Sequence, residues 1–154
     1  MTTVLGIPAH ALLVHAVVVL APLTALLQIL CSVWPAARSR LVWLVLALSV
    51  AVLVVTPLTT SAGSWLYNRE DQHGPVLQLH AERGEWMIYF AVALLVVAIV
   101  QVIQHIRESR SETRGKGMAV TAFVLALVVG VSTTVGVAEI GHSGAEAKWG
   151  TITQ

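Results

Sequence analysis

The stretch GIPAHALLVHAVVVLAPLTALLQILCSV, residues 6–33, is the first long apolar run of the chain. A helix that crosses a hydrocarbon core of about 30 Å needs roughly 20 predominantly apolar residues, and this run is long enough. It also carries two histidines, His10 and His15, toward its beginning. An ionisable side chain within such a run is costly to place in lipid, so the two histidines predict a functional site.

The composition of the whole chain indicates an integral membrane protein. Of its 154 residues, 56% are hydrophobic and 11% are charged, and the mean hydropathy is +0.81. A soluble globule needs more polar surface than this. The formal net charge is +1 and the basic residues lie in short links, which argues against a nucleic-acid partner. Since Cys31 is the only cysteine, the chain has no internal disulfide and no cysteine-based metal site.

Three further apolar runs predict three more membrane spans. Together with the first run they predict an all-α fold, a four-helix transmembrane bundle that forms a single membrane domain over residues 1–154. We expect the helices at approximately 9–33, 41–66, 86–106 and 118–140, with the tail leaving the membrane at Gly141. A proline lies inside the first helix and another inside the second, and each is expected to bend its helix.

Isolated polar residues within the predicted spans have a structural interpretation. Thr24, Gln28 and Ser49 stand among apolar neighbours, and we expect them to form hydrogen bonds between helices rather than a transport path. The second half of helix two is rich in small and hydroxyl-bearing residues, which favour close helix packing. The alternative is a pocket for a polar group, lined by Thr59, Thr60 and Ser61.

The basic links between the spans predict the orientation. The link between helices one and two and the link between helices three and four carry six basic residues: Arg38, Arg40, Arg107, Arg110, Arg114 and Lys116. The positive-inside rule places both links in the cytoplasm, so a multi-pass protein of the cytoplasmic membrane with both termini outside is expected. This orientation gathers five histidines at the outer end, namely His10, His15, His73, His80 and His142, and leaves His105 at the inner end.

The spacing of the histidines limits the sites that they can form. His10 and His15 are separated by about 140° around a regular helix, so they cannot both bind one ion. A site therefore needs one of them together with a histidine from another helix, and we predict His15 with His80 or His142. Two imidazoles that face each other across a helical bundle are the axial ligands of a b-type haem. The sequence therefore predicts haem b as a cofactor.

Glycines next to His142 fit the same hypothesis. Gly141 and Gly144 would let the edge of a flat macrocycle approach the backbone. Gly141 fits equally well as the C-cap of the fourth helix.

A metal ion is the alternative occupant. A zinc or copper site built on His15, His80 and His142 would need further ligands, which Glu82 or Glu139 could supply. His73 and His80 with nearby carboxylates form another candidate set. The sequence lacks the common hydrolase and nucleotide-binding motifs, so it leaves the question of an enzyme open and favours a protein without catalytic activity of its own.

Two stretches carry a resemblance to a known family. They are GIPAHALLVHAVVVLAPL at residues 6–23 and GHSGAEAKWG at residues 141–150. Here the chain resembles the bacterial membrane proteins called domain of unknown function 2231, whose pattern it matches at Pro8, His10, His15, His80, Gly141, His142 and Gly144. The resemblance implies a four-helix membrane fold and no settled activity. Its histidine placement is similar to that of small haem-b membrane cytochromes.

These observations lead to three hypotheses of function. The first is electron transfer by a haem in the outer leaflet, with a quinone or a membrane redox complex as partner. The second is a non-enzymatic accessory or assembly subunit of a larger membrane complex, and the third is a membrane metal-binding protein. All three imply contact with membrane lipid and are compatible with a homo-oligomer.

Overall fold

The computed structural model describes residues 3–4, 7–69, 73–110 and 115–150. Within these ranges the chain is almost entirely helical. The helices are α1 (Ala9–Val33), α2 (Pro35–Tyr67), α3 (Pro75–Glu85), α4 (Met87–Arg110) and α5 (Lys116–Trp149). Two short strands, β1 (Thr3–Val4) and β2 (Ile7–Pro8), pair in antiparallel fashion before α1.

In the described part of the chain, four stretches are long and apolar enough to cross a membrane: Ala9–Val33, Pro35–Tyr67, Pro75–Arg110 and Lys116–Trp149. The third stretch comprises α3 and α4, which are separated by Trp86 alone. The predicted all-α fold with four membrane-spanning helices is confirmed.

The helices extend beyond the apolar runs that predicted them. α2 begins at Pro35 rather than near 41, and proline suits this first position because its missing N–H would have no partner there. α5 continues to Trp149 rather than ending near 140, so Gly141 lies inside the helix and the predicted C-cap at Gly141 is wrong. Helix formation depends on backbone hydrogen bonds rather than on apolar character, and a helix can therefore continue into polar sequence.

The four spans form a closed ring in the order α1, α2, α4 and α5. α1 packs against α2 and α5, and α4 packs against the same two helices, so α1 and α4 lie on a diagonal. α3 packs mainly on the second half of α5 and on α2. We call the end of the bundle that holds α3 and the start of α1 the histidine end. The other end, where α1 meets α2 and where α4 stops, is the opposite end.

The middle of the bundle is a cluster of buried and mostly small apolar side chains. We call this cluster the apolar layer, and its members are Val17, Ala21, Ala25, Val52, Met87, Ala91, Leu94 and Val137. Small side chains allow helices to approach closely, which is how transmembrane helices gain packing energy. The layer separates the histidine end from a buried polar region nearer the opposite end.

Candidate histidine site

His10 lies in the first turn of α1 and reaches across to α2. Its Nδ1 is 3.0 Å from the carbonyl oxygen of Thr59, and the ring is half-buried. Because a carbonyl oxygen only accepts hydrogen bonds, Nδ1 carries the hydrogen and donates it. In the neutral imidazole this leaves Nε2 with a lone pair, which is free to bind an electrophile.

His80 lies on α3 and is held by α5 in the same manner. Its Nδ1 is 3.1 Å from the carbonyl oxygen of Ile140 and 3.3 Å from the hydroxyl oxygen of Ser143. The Ser143 hydroxyl itself donates to the Ile140 carbonyl at 3.0 Å, so its oxygen is an acceptor toward His80. Both neighbours therefore require the hydrogen on Nδ1, and Nε2 of His80 also keeps its lone pair.

The two rings meet at the histidine end. Their centroids are 6.3 Å apart and their planes are inclined at 76°. His10 belongs to α1 and His80 to the span formed by α3 and α4, which lies diagonally across the bundle. Two half-buried imidazoles, each hydrogen-bonded to a backbone carbonyl of a neighbouring helix, therefore lie next to each other at this end.

Each of these rings packs against a glycine of a neighbouring helix. A Cβ atom at Gly63 of α2 would lie 2.8 Å from Cε1 of His10, and a Cβ atom at Gly144 of α5 would lie 2.8 Å from Cε1 of His80. Any larger side chain at either position would have to displace the ring. Gly144 was among the predicted residues, whereas no sequence signal distinguished Gly63 within the small-residue run of α2.

The other predicted site residues have different surroundings. His15 is exposed on α1, and its Nδ1 bonds the Ala11 carbonyl of the same helix. His142 is exposed on α5, and a Cβ atom at Gly141 would meet none of the described residues within 4 Å. The structure therefore brings His10 against His80, where the sequence predicted His15 with His80 or His142.

No metal centre of three or more ligands forms within the described ranges. Among residues 3–4, 7–69, 73–110 and 115–150, no three His, Cys, Asp or Glu side chains gather in a way that could hold a metal ion. His73, part of one candidate set, stacks on Tyr67 with ring centroids 4.0 Å apart and bonds the Tyr67 carbonyl through Nε2 at 2.9 Å. This contact holds the chain that follows α2 against the end of the helix, so His73 has a structural role.

An open cleft of about 280 Å³ lies beside the histidine pair, between α3, α4 and α5. Its walls include the aromatic rings of Trp86 and Phe90 and the charged side chains of Arg83 and Glu139. Ile140, whose carbonyl bonds His80, also lines the cleft. A molecule in the cleft would thus lie next to the residue that holds His80.

Comparison with known proteins agrees with this architecture. A family model described as predicted membrane protein (DUF2231) matches residues 6–153, which include both site histidines and both site glycines. Neither a curated protein nor a solved structure matches the chain.

Proposed function

The chain belongs to the DUF2231 family of predicted membrane proteins, and we propose that it holds a b-type haem between His10 and His80 and carries electrons at the histidine end. The proposal rests on the matching hydrogen bonds that hold the two rings in place. Each Nδ1 donates to a backbone carbonyl, and each Nε2 is left with its lone pair.

Such fixation is the usual condition of a histidine that binds a metal. Metal-binding imidazoles almost always donate their second ring N–H to a carbonyl or carboxylate, which fixes the tautomer and the ring orientation. Two imidazoles that bind one metal from opposite sides, with bonds of about 2 Å, have ring centres roughly 6 Å apart. The separation of 6.3 Å between His10 and His80 agrees with this value.

The donor set favours haem over a bare zinc ion. A zinc site takes four ligands, usually including thiolates or carboxylates, whereas a haem iron needs only two axial ligands from the protein. When bound, the haem supplies one-electron chemistry. His10 and His80 would hold the haem iron, and the glycines at 63 and 144 let both rings lie close to their supporting helices.

The proposed electron partner is a quinone or a membrane redox complex at the histidine end. A haem held by His10 and His80 at one end of the bundle would exchange electrons on that side and would not carry them across the membrane. The cleft next to His80 offers aromatic walls together with a donor, Arg83, and an acceptor, Glu139, which suits a flat ring with polar edges.

The visible spectrum of the detergent-purified protein tests the proposal. We expect a Soret band that sharpens on dithionite reduction, and a pyridine haemochrome assay that identifies haem b. His10→Ala and His80→Ala should each abolish the reduced spectrum, while His15→Ala and His73→Ala should keep it. Added imidazole should partly restore the spectrum of His10→Ala, since free imidazole can occupy the vacated ligand position.

Three results would count against the proposal. A protein that stays colourless after expression with added haem would favour the accessory-subunit hypothesis, and co-purification with a partner in mild detergent would then test that hypothesis. Loss of the spectrum in His15→Ala, with His10→Ala unaffected, would reassign the axial ligand. Copper or zinc found by elemental analysis in a colourless protein would favour the metal-binding hypothesis.

A further inference from the structure

A buried polar network fills the bundle on the other side of the apolar layer. Gln28 is fully buried, and its Nε2 donates to the Leu94 carbonyl at 2.6 Å and to the Ser49 hydroxyl at 3.3 Å. Gln101, also fully buried, donates through Nε2 to the Gln28 carbonyl at 2.7 Å and to the Ser32 hydroxyl at 2.8 Å. The network therefore joins α1, α2 and α4.

A second group of buried polar side chains lies about one turn farther along α4, toward the opposite end, and we include it in the polar network. Nε2 of Gln104 donates to the Glu108 carboxylate at 3.0 Å, and Arg38 donates to the other oxygen of that carboxylate at 2.6 Å. Arg38 also donates to the carbonyl of Cys31 at 2.8 Å. The Arg38 side chain is only 3% exposed, whereas that of Glu108 is 18% exposed. Glu108 therefore connects the buried network with the surface.

Three amide oxygens of this network are unsatisfied. Oε1 of Gln28, of Gln101 and of Gln104 has no hydrogen-bond partner among the described residues, and neither has Nε of Arg38. Exchanging the amide oxygen and nitrogen would not help, because the groups that the Nε2 atoms contact are acceptors. A buried polar atom without a partner costs about 1–3 kcal/mol. Three such oxygens so close in the network require an external donor.

The charge of the site decides what that donor is. The guanidinium of Arg38 neutralises the carboxylate of Glu108, so a metal cation among the amide oxygens would be an uncompensated charge within the bundle. Water brings hydrogen-bond donors without charge and binds where two to four polar partners surround it. We infer that a column of water molecules enters the bundle past Arg38 and Glu108 and ends beneath the apolar layer.

This column is a half-channel that is open on one side only. Ala21, Ala25 and Leu94 of the apolar layer are each at most 1% exposed and lie between the glutamines and the histidine pair. Water therefore reaches Gln28 from the opposite end, and the column does not continue to His10. Oγ1 of Thr133, buried in α5 at the level of the layer and also without a partner among the described residues, marks its farthest reach. The inference rests on the buried amides alone and is independent of the haem proposal.

Cysteine accessibility tests the half-channel in the full-length protein. In a Cys31→Ala background, Gln101→Cys and Leu94→Cys form a matched pair, because both parent residues are fully buried on α4 two turns apart. Each change makes space by shortening a side chain, but only position 101 lies in the polar network. We expect a small, water-soluble methanethiosulfonate reagent to modify Gln101→Cys about tenfold faster or more, since the apolar position must open locally before it reacts.

A second measurement uses the unmutated protein. Water-edited solid-state NMR on protein with labelled glutamine side chains should show rapid magnetisation transfer from water to the buried amides. Equal labelling of the two cysteine variants, or buried amides without water transfer, would overturn the inference. A labelling rate that falls when sodium or potassium replaces a bulky organic cation in the buffer would identify a metal cation as the occupant, which would also overturn it.

Discussion

At the scale of single residues, the histidine site depends on two glycines, whose lack of a Cβ atom leaves room for the histidine rings. The rings of His10 and His80 fit because Gly63 and Gly144 have no Cβ. Each ring then reaches a backbone carbonyl of the helix on which it rests. Adding one methyl group at either glycine is therefore expected to displace the histidine ring beside it.

Gly144→Ala and Gly141→Ala test this point on one helix. The new methyl group at 144 would lie 2.8 Å from the His80 ring, whereas that at 141 would have none of the described residues within 4 Å. We expect Gly144→Ala to lower the free energy of unfolding by about 1–3 kcal/mol, as overpacking does. Gly141→Ala should be neutral or stabilising by up to about 1 kcal/mol, because alanine favours helix more than glycine. Unfolding monitored by circular dichroism in detergent measures both, and equal effects would contradict the proposed seating of His80.

At the scale of the helices, the polar first turns of α2 determine the surroundings of Arg38. Because α2 begins at Pro35, Arg38 lies in its first turns and turns inward to Glu108 of α4. The sequence assigned Arg38 to a cytoplasmic link together with Arg40. Only the longer helix gives the two arginines different surroundings, one buried and one exposed.

Arg38→Met and Arg40→Met therefore separate a buried ion pair from a surface charge. Removal of Arg38 breaks its ion pair with the largely buried Glu108 carboxylate, which is expected to cost on the order of 3 kcal/mol of stability. Removal of the exposed Arg40 should change stability by less than about 0.5 kcal/mol. Titration with sodium dodecyl sulfate in mixed micelles compares the two variants. A destabilisation by Arg40→Met as large as that by Arg38→Met would refute this assignment.

At the scale of the whole molecule, the bundle is asymmetric along its axis. It has a histidine pair at one end, an apolar layer in the middle and a buried polar network toward the other end. The positive-inside rule predicts that the histidine end faces outward. The proposed electron partner and the proposed water column would then lie on opposite sides of the membrane.

Single cysteines test this orientation. In the Cys31→Ala background, Ser39→Cys and Ala145→Cys lie at exposed positions near the two ends of the bundle. A membrane-impermeant maleimide added to intact cells should label Ala145→Cys, and it should label Ser39→Cys only after the membrane has been permeabilised. The reverse pattern would invert the orientation, and it would leave the histidine pair and the polar network as they are.

The polar residues within the spans were predictable in part. Gln28 and Ser49 were expected to hydrogen-bond between helices, and they do so with each other. Thr24 bonds the Leu20 carbonyl of its own helix instead, which a hydroxyl can always reach four residues back. Gln101 and Gln104 lie near the end of the predicted helix at 86–106, and only the packing of α4 against α1 and α2 shows that they are buried.

The sequence by itself determined the four spans, because a hydrocarbon core imposes a length and an apolar composition that a chain must satisfy locally. It also determined that His10 and His15 point in different directions, because the helical repeat fixes the angle between them. Only the tertiary structure decided which of them faces the bundle. α1 is apolar around most of its circumference. Its polar residues Thr24 and Gln28 lie within about 40° of His10 around a regular helix, which is a weak sequence signal for His10 rather than His15. The direction in which α1 turns is set by packing against α2 and α5, and it brings His10, rather than His15, to His80.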